Sequence, residues 1–372
     1  MSPVRATPFH VRAADANEGN LWRSRNGFTL AASYGGVASE AAAARLGVAM
    51  ADISWRWRVT LEGARVRELM QRLFTCDASG LAPGRALKAL WLADGGGVRG
   101  AGVVACHGRQ SFQLISAGAD HDWIAGAASA FGCTLRDITE EEGGVALVGP
   151  YAAKLVAALG LDPTLEPVTF RRFPWRSVDV TLSRFGEQGG YELWCKAEDA
   201  PIVWDRVMRA GEPFAILPAG LDAMDVLDIE AGVPRPGRDY DAATDGTAAE
   251  PIPGAWRLES LIDPEHQGFN GARAARAATP REQLVGLIID STTPSPFTPV
   301  MLNGKPVGRT LSSVCSPVLR RAIALAQIET ALAVQGTAVS LVLPASRALL
   351  PTVAAAHIVD LPFLPPPDPI AP

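Results

Sequence analysis

The stretch Asp94-Gly95-Gly96-Gly97-Val98-Arg99-Gly100-Ala101-Gly102-Val103-Val104-Ala105-Cys106-His107-Gly108-Arg109-Gln110-Ser111-Phe112-Gln113-Leu114 decides the architecture. It reads as a glycine turn, an apolar strand through Val103 and Val104, a second turn at Gly108 and a return strand at Phe112-Gln113-Leu114. Three glycines ahead of Val98 could also cradle phosphate, but no G-x-G-x-x-G opens a helix and no G-x-x-x-x-G-K-[ST] occurs, so the hairpin is preferred. Working outward, Val66, Leu69, Met70 and Leu73 fall at i, i+3, i+4, i+7 and predict an amphipathic helix over Glu62 to Leu73. Trp123, Ile124, Ala127, Ala128 and Phe131 make one stripe of a second helix, from Asp120 to Phe131. Val145 to Val148 reads as a short strand, and Gly149-Pro150 opens a helix with Pro in its first turn. Val178, Val180 and Leu182, then Tyr191, Leu193 and Cys195, alternate with other residues as half-buried strands do. Asp199 is read as the cap of a helix ending at Gly211. Strands and helices mix without strict β-α-β order, which predicts α+β layers in place of a doubly wound sheet.

The second half is organised differently. Gly232 to Gly254 is rich in Gly, Pro, Asp and Thr and predicts a long irregular loop, a kind of segment that often carries function. An Ala/Arg stretch from Ala272 to Arg281 ends in Thr279-Pro280, the expected boundary. Beyond it, Leu284 to Ile289, Val300 to Leu302, Val307 to Leu311, Ala322 to Ile328 and Val339 to Val342 are short strands at regular intervals, which predicts a small β-barrel. The tail from Pro365 to Pro372 is Pro-rich and expected to be loose.

Composition removes several classes. A chain of 372 residues suggests two or three domains. It is long enough to bury a core without covalent staples. With 48% hydrophobic and 20% charged residues, bulk disorder is excluded. Of the 34 cations only Lys88, Lys154, Lys196 and Lys305 are lysines. The arginine excess fits either repeated anion recognition or a coding bias. A net charge of −5 and the lack of a basic run argue against a nucleic-acid partner. Five scattered cysteines without C-x-x-C predict neither a disulfide framework nor a thiolate metal site, and the histidines show no H-E-x-x-H. Met1 to Asn20 carries charges and no apolar core of a signal peptide. No apolar run reaches about 18 residues. The expectation is a soluble, cytoplasmic protein, monomer or homodimer, acting on a small molecule, with no metal and no membrane partner.

Two stretches carry chemistry. Pro218-Ala-Gly-Leu221-Asp222-Ala-Met224-Asp225-Val-Leu227-Asp228-Ile-Glu230-Ala-Gly232 predicts a helix that is apolar around most of its circumference, hence buried. Asp228 projects between Leu221 and Met224, so its carboxylate must find a partner or shift its pKa upward. It is either an ion-pair partner for an arginine or a catalytic acid or base. In Phe185-Gly186-Glu187-Gln188-Gly189-Gly190-Tyr191-Glu192-Leu193, the two glycines allow close backbone approach before a strand. Glu192 faces away from Tyr191, as a solvated hairpin residue or as a ligand-binding carboxylate. Trp55 and Trp57, with Arg56 between them, would share one strand face as core aromatics or as a stacking wall for a planar ligand.

Segments in order along the chain resemble the glycine-cleavage T-protein (aminomethyltransferase) superfamily. They are Gly47 to Ser54 with its Asp52, Leu61-Glu-Gly-Ala, Ala146-Leu-Val-Gly149-Pro150, Gln188-Gly-Gly-Tyr-Glu192, Pro218-Ala-Gly-Leu221-Asp-Ala, Ile229-Glu230-Ala-Gly232, Gly268-Phe269-Asn-Gly271, Val307-Gly308 through Ser316-Pro317, Ile323-Ala-Leu-Ala326 and Leu361-Pro362-Phe363. The resemblance implies an α+β fold: a three-domain ring around a channel, with a C-terminal β-barrel. Its domains would be residues 1–50 plus 140–270, residues 51–139 inserted between them, and the barrel at 280–372. It implies tetrahydrofolate as the cofactor, with Glu192 at the glutamate that hydrogen-bonds the pterin and with Tyr191 and Gly190 beside it. Two departures stand out. Members that transfer an aminomethyl group carry two acids in a "G-G-I-x-D-D" turn, where this chain has Gly96-Gly97-Val98-Arg99-Gly100-Ala101. The family's "L-R-x-E-A-G" arginine is replaced by Asp228. Both point away from ordinary aminomethyl transfer, and the form of the glutamate motif resembles the tetrahydrofolate-dependent demethylase branch. The implied function is removal of a one-carbon unit from a small aromatic substrate by O-demethylation. The alternatives are a folate-independent formaldehyde lyase acting on a hydroxymethyl-bearing aromatic, and a non-catalytic folate-binding or scaffold protein. Asp228, Arg99 and Tyr240 are the candidate catalytic residues. Tyr34, Trp55, Arg56 and Trp57 are the candidate substrate contacts.

Overall fold

The computed structural model describes residues 4–186, 190–244, 251–343 and 352–365. Gln188 and Gly189 of the glutamate motif, and the tail beyond 365, lie outside the described residues. The chain divides into two compact units, one made mainly of residues up to 90 and 101–224, the other of 91–100 and 225–365.

In the first unit, a six-stranded sheet runs in the order Phe170–Trp175, Val178–Ser183, Tyr191–Lys196, Glu142–Val148, Ala49–Asp52 and Leu217–Ala219. Every neighbouring pair is antiparallel except the last, Leu217–Ala219 on Ala49–Asp52. A sheet built this way belongs to α+β proteins. Helices His10–Ala16, Ala152–Ala158 and Ala200–Gly211 supply apolar residues to the core that holds Met50, Val145, Leu147, Val180, Leu182, Leu193 and Cys195. Asp199 stands at the start of Ala200–Gly211 but its side chain makes no capping hydrogen bond. Tyr191–Lys196 differs from the half-buried expectation. Its first five residues are all buried, because the strand is central in the sheet and covered on both faces.

The deciding hairpin is present. Val98–Gly108 pairs antiparallel with Ser111–Ser116, and together with Ala86–Leu92, Trp57–Glu62 and Thr134–Asp137 they form a five-stranded sheet. The predicted helices are observed as Val66–Leu73 and His121–Ala130. A hairpin that sequence reading passed over joins Trp22–Arg25 to Phe28–Ala31 through Asn26-Gly27. Both loop residues are left-handed, with φ of 49° and 76°. That is the backbone a two-residue Asn-Gly turn adopts.

In the second unit, Glu282–Ile289, Arg321–Glu329, Lys305–Ser316, Pro299–Leu302, Ala338–Leu343 and Thr352–Val359 close into a barrel. Five of these were expected. The sixth, Thr352–Val359, hides its alternation in three consecutive alanines, a residue poor in strand propensity. The helix carrying Asp228 is Leu221–Glu230, and its last residue is buried. Ser316 Oγ donates to Glu230 Oε1 at 2.6 Å, and the Leu364 amide donates to the Glu230 carbonyl at 3.0 Å. Two motifs far apart in sequence thus meet through one buried carboxylate. Among the described residues no helix is long and apolar enough to cross a membrane.

Removing the Ser316 hydroxyl leaves a buried carboxylate short of a donor, a loss of about 1–3 kcal/mol. Ser316→Ala is therefore expected to lower the urea midpoint of the second unit, while Ser313→Ala, whose hydroxyl donates to the Pro294 carbonyl, is expected to have the smaller effect.

Candidate functional site

Glu192 lies second in its strand, opposite Ala146 on one side and Ser183 on the other. The strand pleat turns it away from the helix-packed face that takes Tyr191, Leu193 and Cys195. Its side chain is 1% exposed, so the solvated hairpin reading is wrong. Arg56 Nη1 donates to Oε1 at 2.6 Å. Trp194 Nε1, two residues on and on the same face, donates to Oε2 at 3.2 Å, and Ser183 Oγ lies 3.5 Å from the same oxygen. The Arg58 guanidinium stacks over the Trp194 ring at 4.0 Å and pairs with Glu142. Burial lowers the pKa of Arg58, with Glu142 opposing the effect. The result is a buried carboxylate with one polar arm facing outward, since Arg56 is 21% exposed.

The other candidates of this unit fall in several places. A Cβ on Gly190 would stand 2.2 Å from the Leu147 carbonyl, so glycine at this position lets two strands meet. Tyr191 belongs to the apolar core, its hydroxyl donates to the Pro163 carbonyl, and burial raises its pKa. Tyr34 is also a core residue, beside Trp204, and burial pushes its phenol pKa well up. Trp55 and Trp57 do not share a strand face. Trp55 sits in the turn before the strand, packed with Phe28, Leu30 and Leu221, whereas Trp57 begins the strand and donates to Asp137 at 2.9 Å. Sequence spacing alone misplaced them because Ser54 to Arg56 is a turn. Asp52, in the same opening motif, accepts from Thr7 Oγ1 at 2.6 Å and from the Ser54 amide at 2.9 Å, and burial raises its pKa. Sequence reading missed Glu40, whose buried Oε1 accepts from Ser33 Oγ and the amides of Tyr34, Gly35 and Gly36, while Oε2 accepts from the Gly220 amide. An acid amid the alanines of Val37–Leu46 was the available signal.

In the second unit Asp228 has found its partner. Arg235 Nε and Nη2 donate to its two oxygens at 2.8 and 2.7 Å, a bidentate pair. Arg238 extends the network: Nη1 reaches Asp225 at 3.2 Å, Nε donates to Asp239 at 2.9 Å and Nη2 donates to the Val233 carbonyl at 3.0 Å. Burial works against the Arg238 charge, but Asp239, Asp228 and Asp225 outweigh it and hold its pKa above the ordinary value. Two arginines thereby fold the loop after Gly232 back onto the helix that carries the acids. Tyr240 is buried, its ring 4.8 Å from that of Trp256. Arg99 lies in the strand Val98–Gly108 and is half-buried. Beside it, a Cβ on Gly100 would fall 2.1 Å from the Trp91 ring, so no acidic side chain fits at that position without displacing the indole. Among the described residues no group of three or more His, Cys, Asp or Glu is placed to hold a metal ion.

Residues 11–250 match the GCVT N-terminal domain family, and residues 282–364 match the glycine cleavage T-protein C-terminal barrel domain. The chain belongs to the aminomethyltransferase family. It is 31% identical to the aminomethyltransferase of Frankia alni over 343 residues, which is 90% of this chain and 92% of the relative. Identity to the Synechococcus enzyme of the same name is 32% over 334 residues, 84% of this chain and 88% of the relative. In fold it is similar to the glycine cleavage system aminomethyltransferase T of Bartonella henselae. The TM-score is 0.84 at 22% identity, covering 98% of this chain and 99% of that one. Aminomethyltransferase-family proteins are one-carbon transferases that use tetrahydrofolate, and this member has the family's α+β fold and C-terminal barrel.

Two outcomes follow from these geometries. Arg235→Ala leaves the buried Asp228 with the longer 3.8 Å contact to Arg238 in place of its bidentate pair and is expected to cost about 3 kcal/mol. Asp228→Asn should cost less, because Arg235 is 20% exposed and can turn to water; urea unfolding of both variants checks the order. Asp52 has a folded pKa above its unfolded value near 3.8. The folded state therefore holds the proton longer, and stability is lost as pH rises from that value through the folded pKa. Asp52→Asn should gain stability relative to the parent across that rise, as read by thermal melts from pH 4 upward.

Proposed function

We propose that this chain removes a one-carbon unit, as methyl, from a small aromatic substrate and passes it to tetrahydrofolate, an O-demethylation. The observation that carries the reading is the buried Glu192 carboxylate. The donor set fits the pterin edge in kind: an acceptor-only group held by Arg56, Trp194 and Ser183, with a carboxylate's remaining lone-pair site still open. Arg56, half-buried and bound to a single oxygen, is the group a planar donor edge would displace. Once released, its guanidinium is available to an anionic substrate. When bound, tetrahydrofolate supplies the nucleophilic nitrogen that accepts the carbon. The preference for methyl over aminomethyl rests on Gly100, where contact with Trp91 leaves no room for an acid. Arg99 and Tyr240 are kept as the proposed catalytic residues of the second unit. Asp228, with both oxygens on Arg235, is assigned to holding the loop and not to acting as a base; this disfavours the formaldehyde-lyase alternative.

The test is incubation with methoxy- and hydroxymethyl-aromatics, with and without tetrahydrofolate, following methyl-tetrahydrofolate and free formaldehyde. Methyl-tetrahydrofolate is expected from methoxy donors only when folate is present. Glu192→Gln should raise the KM for folate about tenfold, the loss of one hydrogen bond to a charged group. Arg56→Met should lower it, and Asp228→Asn should keep most of the turnover. Formaldehyde release without folate would sink the reading in favour of the lyase; neither folate binding nor turnover would favour a scaffold.

A further inference from the structure

Arg58 is a buried cation with poor pairing. It lies in the strand Trp57–Glu62, and its side chain is 4% exposed. One nitrogen, Nη2, pairs with Glu142, whereas Nε and Nη1 are buried with no hydrogen-bond partner. A guanidinium buried with two unpaired donors is costly, and an apolar side chain of similar length would pack there without that cost. Stability therefore does not account for the arginine. What it does make is a stack: the guanidinium carbon stands over the Trp194 ring, 4.0 Å from the centroid. The indole is fitted to the neighbouring strand as well. Gly144 pairs with Trp194, and a Cβ on Gly144 would fall 2.3 Å from the ring, so glycine is what lets the indole lie there. Glu142 and Gly144 share one face of their strand, as Glu192 and Trp194 share one face of theirs.

The stack bears on Glu192 through one atom. Trp194 Nε1 donates to Glu192 Oε2 at 3.2 Å, and Ser183 Oγ lies 3.5 Å from the same oxygen. Oε1 is left to Arg56, at 2.6 Å. A cation against the π face fixes the ring plane and draws electron density from it, which strengthens the indole N–H as a donor. Without that contact the indole would be free to turn, and the two carboxylate oxygens would compete for the same donors. We propose that Arg58 is a positioning residue for ligand binding at Glu192: it holds the Trp194 N–H on Oε2 and so keeps Oε1 as the oxygen that exchanges Arg56 for the pterin edge. Neither Arg58 nor Trp194 need touch the ligand. The inference rests on the folate reading of Glu192, but its first test uses no folate, so the two can fail separately.

The full chain is labelled with nitrogen-15 in its nine tryptophans, and Trp194→Phe identifies the Trp194 indole resonance by its loss. In Arg58→Met the Trp194 N–H is expected to exchange with solvent about tenfold faster, the equivalent of one hydrogen bond, while the remaining indoles keep their rates. A merely structural role would move them together. The second arm titrates 5-formyl-tetrahydrofolate, which carries no transferable methyl, into the parent and the variants. Arg58→Met is expected to weaken binding about tenfold in the parent and less than about twofold in the Trp194→Phe background, because residues that act through one another are not additive. Arg58→Lys keeps the charge and loses the planar stack, so it should fall between on both readouts; it carries the same comparison where Arg58→Met does not fold. An unchanged Trp194 exchange rate, or equal loss of affinity with and without the indole N–H, would overturn the assignment. No folate binding by the parent would overturn the reading of Glu192, while a rise in exchange confined to Trp194 would still support the hold of Arg58 on the indole.

Discussion

Much of the first unit is organised around the need to bury a carboxylate within a sheet. Glu192 lies in a central strand covered on both faces, where an unpaired charge would cost several kcal/mol. Its neighbours answer that need. Ser183 faces it across one strand pair, Trp194 turns its indole N–H to it from two residues along, and Arg56 reaches it from the turn ahead of Trp57–Glu62. Arg58, stacked on the same indole, ties Glu142 into the group. Of the three groups that bond Glu192 directly, Arg56 has the appreciable contact with solvent, and that asymmetry makes the pair a place where a ligand can exchange with a side chain.

The second unit solves the same problem with different residues. Three aspartates that would repel one another, Asp225, Asp228 and Asp239, are held together by Arg235 and Arg238. The helix Leu221–Glu230 can therefore be both buried and acidic. The described part of the loop that follows is pinned without regular secondary structure, because its hydrogen bonds and ion pairs run to the helix, to its own backbone and to Val98. At the end of that helix Glu230 meets Ser316, so the helix, the loop and the barrel of this unit share one polar seam.

Several features were legible because they depend on local rules. The Gly95-Gly96-Gly97 turn, the stripe of Val66, Leu69, Met70 and Leu73 and the regular spacing of the barrel strands are statements about neighbours in sequence, and the structure has each of them. Asp228 was legible as a buried acid in need of a partner, but Arg235 was one of thirty arginines and nothing local singled it out. Thr352–Val359 was invisible because alanines on both faces erase the alternation. Trp55 and Trp57 were misread because one residue of strand was assumed where the chain turns. Asn26-Gly27 was a local signal, and it was simply passed over.

The sequence by itself determined the class of fold, the family and the types of group at the two sites. Those follow from periodicity, turn chemistry and ordered motifs, all of which are short-range patterns. Tertiary structure decided which charges meet and which oxygens stay unpaired. Whether Glu192 is solvated or sealed, whether Asp228 is held by one guanidinium on both oxygens, and whether Gly100 has room for an acid are set by packing between residues far apart in the chain. Such contacts depend on distances of a few tenths of an ångström, and no spacing along a sequence encodes them.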